Sequence, residues 1–115
     1  MKMKVSMENI SENTFQYLYV GDFEQINDYY HYEDRMGFKN KVHFDELSFH
    51  LLRKSDYDME IIFNNQQALL KIKSDEGNLE FPIEIIKYYP KGIEVYFKYR
   101  LNEQIFIYQI RSING

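Results

Sequence analysis

Histidine and acidic side chains alternate along two short segments in the first half of the chain. His31 stands two residues before Glu33, and His43 stands two residues before Asp45. Residues two apart on a β-strand share a face, so each pair would project from one side of its strand. Imidazole and carboxylate groups can hold a divalent metal ion, or they can exchange protons with a substrate. The spacing leaves a metal site and an acid–base site open.

The residues around the second pair favour a simpler interpretation. Val42 and Phe44 alternate with His43 and Asp45, and apolar side chains are the ones expected to face a core. The polar pair would then point outward, where isolated polar side chains are common. The G-x-S-x-G, H-E-x-x-H, P-loop and G-x-G-x-x-G motifs do not occur. We predict no metal site, no cofactor and no catalytic residue, with an enzyme using carboxylate and histidine chemistry as the alternative.

Composition limits the class of protein. The 115 residues include eleven Tyr and nine Phe, and 44% of the chain is hydrophobic, which is too apolar for a disordered chain. A single domain over residues 1–115 is expected at this length. A net charge of −4 gives no basic footprint for nucleic acid, and the absence of cysteine excludes disulfides and Cys-based zinc sites.

Apolar patterning gives no sign of a membrane partner. The first residues lack the apolar run of a signal peptide, and no stretch is long enough to span a bilayer. The expectation is a cytoplasmic protein of bacterial type that binds neither membrane nor nucleic acid.

Period-2 patterning between turn signals predicts an all-β fold with little helix. The predicted strands cover residues 2–8, 14–22, 27–35, 40–45, 48–54, 57–63, 67–73, 78–87, 92–100 and 104–112. A turn or bulge near DELS is needed because the apolar phase changes between Phe44 and Phe49. About eight to ten short strands in one chain indicate a barrel or a sandwich, of which we favour an antiparallel up-and-down β-barrel. A gap or bulge is expected near Pro82 because proline cannot donate to a ladder.

The last third of the chain shows the clearest alternation. One predicted inward stripe is Leu79, Phe81, Ile83 and Ile85, and a second is Ile93, Val95, Phe97 and Tyr99. If NE at 102–103 is a two-residue loop, Tyr99 faces Phe106, Phe97 faces Tyr108 and Val95 faces Ile110. The opposite face then exposes Tyr96, Ile105 and Ile107, which we predict to be a homodimer interface.

Inward aromatic side chains could line a pocket for a small apolar or amphipathic ligand. Arg53 is in phase with Phe49 and Leu51, and an inward guanidinium needs a carboxylate or an anionic ligand head. The alternative is that Arg53 reaches the rim and pairs with Glu33 or a backbone carbonyl. The predicted ligand-binding residues are Arg53, Tyr30, Tyr32, Phe49, Phe97 and Tyr99. A non-enzymatic module for a small ligand or a protein partner is the resulting functional hypothesis.

The segment from Tyr29 to Ile110, which begins YYHYEDRMGF and ends EQIFIYQI, resembles the YwiB-like family of small bacterial proteins of unknown function. The matching positions are the Tyr32–Glu33 pair, Arg53 at a strand end, Gly77 before a strand and Tyr99 before the last turn. This resemblance implies a calycin-type antiparallel β-barrel, similar to lipocalins and streptavidin. It implies a fold and very little about function.

Overall fold

A computed structural model describes residues 2–113. All of the regular secondary structure in that range is β-strand. The strands are β1 (Lys2–Asn9), β2 (Thr14–Gly21), β3 (Glu24–Ile26), β4 (Tyr29–Glu33), β5 (Lys39–Phe44), β6 (Phe49–Lys54), β7 (Asp58–Phe63), β8 (Ala68–Ser74), β9 (Gly77–Pro82), β10 (Glu84–Lys91), β11 (Glu94–Leu101) and β12 (Gln104–Ile113). The predicted all-β class is confirmed. The described residues hold no helix that is long and apolar enough to cross a bilayer.

The strands form two antiparallel sheets. A five-stranded sheet has the order β10-β11-β12-β1-β2, and a seven-stranded sheet has the order β3-β4-β5-β6-β7-β8-β9. Each belongs to its own compact unit: Glu24–Pro82 forms one, and the segments on either side of it form the other. Within residues 2–113 neither sheet closes on itself, so the closed barrel expected from the sequence is not found.

The seven-stranded sheet is a meander of hairpins with one buried face. Val42 and Phe44 on β5 are buried, as are Phe49 and Leu51 on β6. The predicted turn near DELS is confirmed, because the Asp45 N–H donates to the Ser48 carbonyl and brings Phe44 opposite Phe49. This turn exchanges the phase of the two strands while keeping their apolar side chains on the same face.

In the five-stranded sheet, the predicted register of the last hairpin is confirmed. Tyr99 pairs with Phe106, Phe97 with Tyr108 and Val95 with Ile110. Asn102 takes a φ of 56° in the connecting loop, a conformation that Asn adopts more readily than most residues. Val95, Phe97 and Tyr99 are buried as predicted, whereas Ile93, the first residue of the predicted stripe, is half-buried and precedes β11.

The prediction of one continuous strand over residues 78–87 is wrong. The chain leaves the seven-stranded sheet at Pro82 and enters the five-stranded sheet at Glu84, with Ile83 between them. The proposed inward stripe fails at its first residue, because Leu79 on the outermost strand β9 is 57% exposed. A strand with a neighbour on one side only has less side-chain cover than a central one. The short strand β3 was also missed, because it lies between the predicted strands 14–22 and 27–35.

The expectation that Ile107 is exposed is also wrong. Ile107 lies on the predicted face, between Lys98 of β11 and Glu8 of β1, but only 8% of its surface is exposed. A central strand places long side chains on both sides of each residue, and their aliphatic stems cover apolar surface. On the same face Tyr96 and Ile105 are half-buried.

Candidate functional site

The second face of the seven-stranded sheet is polar. Strand register places one residue from each strand in a continuous cross-strand row, with alternating charges on much of its length. The row is Glu24, His31, Lys41, Leu52, Glu60, Lys71 and Glu80. Side chains on one face of neighbouring strands lie within reach of each other, so this face can assemble a site from residues distant in sequence.

Three side chains on this face form a hydrogen-bonded chain. The Tyr29 hydroxyl lies 2.6 Å from His50 Nδ1, and His50 Nε2 lies 2.5 Å from Glu60 Oε2. Tyr29 is on β4, His50 on β6 and Glu60 on β7, so the hydrogen-bonded side chains span the four neighbouring strands β4 to β7. The side chains of His50 and Glu60 are 27% and 29% exposed. A hydroxyl, an imidazole and a carboxylate in this order can move a proton.

Two further side chains lie against the Tyr29 ring. The Lys41 ammonium group is 5.0 Å from the ring centroid, and the His43 ring is 5.5 Å away from it, centroid to centroid. His43 Nδ1 is 2.8 Å from the Asp28 carbonyl oxygen, which fixes the ring on that side. Burial raises the pKa of Tyr29, and the negative charges of Glu60 and Asp28 raise it further. The hydroxyl therefore keeps its proton unless a base removes it.

A groove of about 250 Å³ lies on this side of the sheet, beside Lys41. Its lining residues are His31, Lys39, Asn40, Lys41, Leu52 and Lys54. Lys39 and Lys54 stand directly opposite each other on β5 and β6. In residues 2–113 none of the three lysines forms a salt bridge. Like charges opposite each other in a sheet are unfavourable, and a bound anion would offset that cost.

A second groove, of about 290 Å³, shares Leu52 with the first. Leu52, Glu60, Lys71 and Glu80 are among its lining residues and belong to the row of the polar face. Ile72 and Leu79 also border it, but strand alternation directs their side chains to the other face of the sheet. Apolar surface on this face therefore comes from Leu52 and from the aliphatic stems of Lys71 and Lys73. The two grooves together offer a basic end and a partly apolar end.

The structure does not join the four residues of the first hypothesis into one site. His43 contacts Tyr29 and the Asp28 carbonyl, whereas the Asp45 carboxylate accepts hydrogen bonds from Leu47 and Ser48 within its own turn. Those hydrogen bonds lower the pKa of Asp45. His31 pairs across the ladder with Lys41. Within the described residues, no three His, Asp or Glu side chains are grouped so as to hold a metal ion.

Arg53 pairs with Asp34 and not with Glu33, the partner that the sequence suggested. Its Nε donates to Asp34 Oδ2 at 3.0 Å, and its guanidinium lies 4.8 Å from the Phe38 ring centroid. Asp34 is fully buried and also accepts hydrogen bonds from the Met36 and Phe38 amides and from Asn40 Nδ2. The Arg53 guanidinium therefore has its counter-charge in Asp34, the role that the sequence hypothesis gave to the anionic head of a ligand.

Four of the five aromatic residues predicted to bind a ligand are buried. Phe97 is fully buried, Phe49 is 1% exposed, Tyr99 3% and Tyr32 5%, whereas Tyr30 is half-buried against Phe44. Neither groove on the polar face is lined by any of them. Their role in ligand binding stays a prediction, as does the dimer interface through Tyr96 and Ile105.

The sequence interpretation missed Tyr29, His50 and Glu60. A signal for part of the site was present, because a turn ending with Phe49 opposite Phe44 also places His50 opposite His43. The alternation of residues along each strand did not indicate that the Tyr29 side chain extends across β5 to His50. Side-chain direction across two ladders depends on rotamers and sheet twist, which residue spacing does not specify.

Comparison with known proteins adds no relative, because no protein-family model, curated protein or solved structure matches this chain. The resemblance to the YwiB-like family stays a prediction.

Proposed function

We propose that this protein is a binding module for a small amphipathic anion, which it holds on the polar face of the seven-stranded sheet. The observation that carries this proposal is the groove lined by Leu52 with Lys39, Lys41 and Lys54, none of which has a carboxylate partner among residues 2–113. An anionic head placed among three ammonium groups gains more there than against an isolated surface lysine.

The charge balance of the whole chain supports a local role for these lysines. Acidic residues outnumber basic ones by four, so general electrostatic attraction to polyanions is not expected. A basic groove on an acidic protein favours a small ligand that fits between the lysines over a long polyanion such as nucleic acid.

The apolar tail of such a ligand can extend from the first groove into the second. Leu52 is shared with the second groove, where the aliphatic stems of Lys71 and Lys73 add apolar surface. A tail that covers these side chains removes them from water, which contributes about 25 cal/mol for each Å² of apolar area buried. A ligand with an anionic head and a short alkyl tail therefore uses both ends of the site.

This proposal keeps the small-ligand hypothesis and moves the ligand from the interior of a barrel to the face of a sheet. The calycin-like barrel, the homodimer and the cytoplasmic location stay predictions.

Calorimetric titration with two matched probes tests the proposal. Octyl sulfate and octyltrimethylammonium have the same tail and opposite head charges, so their difference reports the contribution of the head. We expect octyl sulfate to bind with one-to-one stoichiometry, and Lys54→Gln to weaken its binding roughly 5-fold, as about 1 kcal/mol of charge interaction would. Lys98→Gln, on the five-stranded sheet, is the control and leaves the affinity unchanged. Equal binding of both probes, or no effect of Lys54→Gln, would refute the proposal.

A further inference from the structure

The hydrogen-bonded chain on the polar face supports an activity beyond ligand binding. We infer that Tyr29 is a nucleophile that accepts an acyl group from an activated aryl ester, with His50 as its general base and Glu60 as the residue that positions the base. The inference depends on the order of the three groups and on the two distances that join them, 2.6 Å and 2.5 Å. It does not depend on the proposed anion site.

The chemistry of the partners fixes the direction of each hydrogen bond. A carboxylate can only accept, so His50 Nε2 carries a proton and donates it to Glu60 Oε2. A neutral imidazole protonated on Nε2 has its lone pair on Nδ1, and that lone pair faces the Tyr29 hydroxyl. Tyr29 therefore donates to His50, which is the arrangement in which an imidazole can remove the hydroxyl proton.

Proton transfer within the chain leaves charges that its neighbours stabilise. When His50 takes the proton, the imidazolium remains hydrogen-bonded to the Glu60 carboxylate, and the Lys41 ammonium group lies 5.0 Å from the centre of the tyrosine ring. Burial and the nearby Glu60 and Asp28 raise the pKa of Tyr29, so the phenol is not ionised at rest. Reaction thus requires the base, and an isolated tyrosine on the surface lacks one.

The proposed step balances with the ester alone. The Tyr29 Oη attacks the carbonyl carbon and forms a new C–O bond while its proton moves to His50 Nδ1. The bond between the carbonyl carbon and the departing phenol oxygen then breaks, and His50 returns the proton to that oxygen. The products are an O-acyl tyrosine and a free phenol, and His50 and Glu60 regain their starting protonation states.

Acetylation of the full-length chain by p-nitrophenyl acetate tests this inference. Peptide mapping by mass spectrometry follows the acetyl group on Tyr29 and on Tyr89 of the same molecule, since Tyr89 is 61% exposed and serves as an internal reference. We expect Tyr29 to react at least about 10-fold faster than Tyr89, although it is the less exposed of the two, because general-base assistance contributes roughly 100-fold or more.

Variants then separate catalysis from structure. His50→Gln lowers the rate at Tyr29 by about 100-fold, and Glu60→Gln lowers it by about 10-fold, while the rate at Tyr89 is unchanged in both. A purely structural role would leave the ratio of the two rates as it is in the wild type. The wild-type ratio decides the matter even where a variant fails to fold: acetylation of Tyr29 no faster than that of Tyr89 overturns the inference.

Discussion

Arg53 and Asp34 form an ion pair that joins β6 to the segment after β4, with Arg53 Nε 3.0 Å from Asp34 Oδ2. The carboxylate has no exposed surface, and the guanidinium side chain is 22% exposed. Asp34 accepts four hydrogen bonds, two of them from backbone amides. This carboxylate organises the β4–β5 connection and holds Arg53 at the same time.

Replacement of Asp34 by Asn is expected to destabilise the protein strongly. The amide would turn a donor toward groups that already donate, and it would leave Arg53 without its counter-charge. We expect a loss of about 2–4 kcal/mol in the free energy of unfolding, measured by urea denaturation. The matched control is Glu84→Gln, which breaks the exposed pair with Arg100 and costs less than about 0.5 kcal/mol. Similar losses for both variants would contradict the assigned role of Asp34.

The last hairpin offers a test of backbone conformation. Asn102 has a φ of 56°, which glycine adopts freely and alanine does not. Asn102→Ala should therefore cost about 1 kcal/mol, whereas Asn102→Gly should lie within a few tenths of the wild type. Thermal and urea unfolding of both variants measure the difference. Equal stabilities for alanine and glycine would show that the loop does not need a positive φ.

The stability that the β5–β6 turn contributes should depend on pH through the ionisation of Asp45. Hydrogen bonds from the Leu47 amide and from Ser48 lower the pKa of Asp45. A folded-state pKa below the unfolded value gives stability that is present at neutral pH and is lost as the pH falls through the folded value. Asp45→Ala should lower Tm at about pH 7, and this difference should shrink toward about pH 2. Asp45→Asn keeps an acceptor oxygen, so its Tm should lie between the two; a pH-independent gap for alanine would contradict this assignment.

The burial of Tyr99 should make the folded protein less stable at alkaline pH. Burial raises the pKa of Tyr99, which is 3% exposed. A raised folded-state pKa gives stability that is complete below the unfolded value, near 10, and is lost as the pH rises toward the folded value. Between about pH 10 and pH 11 the free energy of unfolding should fall by up to about 1.4 kcal/mol more in the wild type than in Tyr99→Phe. Identical slopes for the two proteins would exclude Tyr99 as the source.

Much of the fold could be predicted from apolar alternation. The pairing of Tyr99 with Phe106 followed from the parity of two strands and the length of the loop between them. The split at Ile83 could not be seen in the same way, because alternation continues unbroken through Pro82 while the chain changes sheets. Period-2 patterning reports which residues share a face of one strand and carries no information about which sheet the strand joins.

The candidate site was less accessible to sequence reasoning. His43 was correctly predicted to point away from the buried Val42 and Phe44, yet its partner Tyr29 and the nearby His50 were not recognised. Arg53 was correctly identified as a residue that needs a counter-charge, and its partner proved to be Asp34. Both failures concern the direction of long side chains across neighbouring strands, which packing decides.

The central claim is that the ligand lies on the polar face of the seven-stranded sheet, among Lys39, Lys41 and Lys54. Amide chemical-shift mapping during titration with octyl sulfate tests it most directly, because each backbone N–H reports its own surroundings. We predict the largest shift changes in β5 and β6, at the three lysines and Leu52, with small changes throughout β10–β12. Largest changes in the five-stranded sheet, or none at saturating octyl sulfate, would contradict the claim.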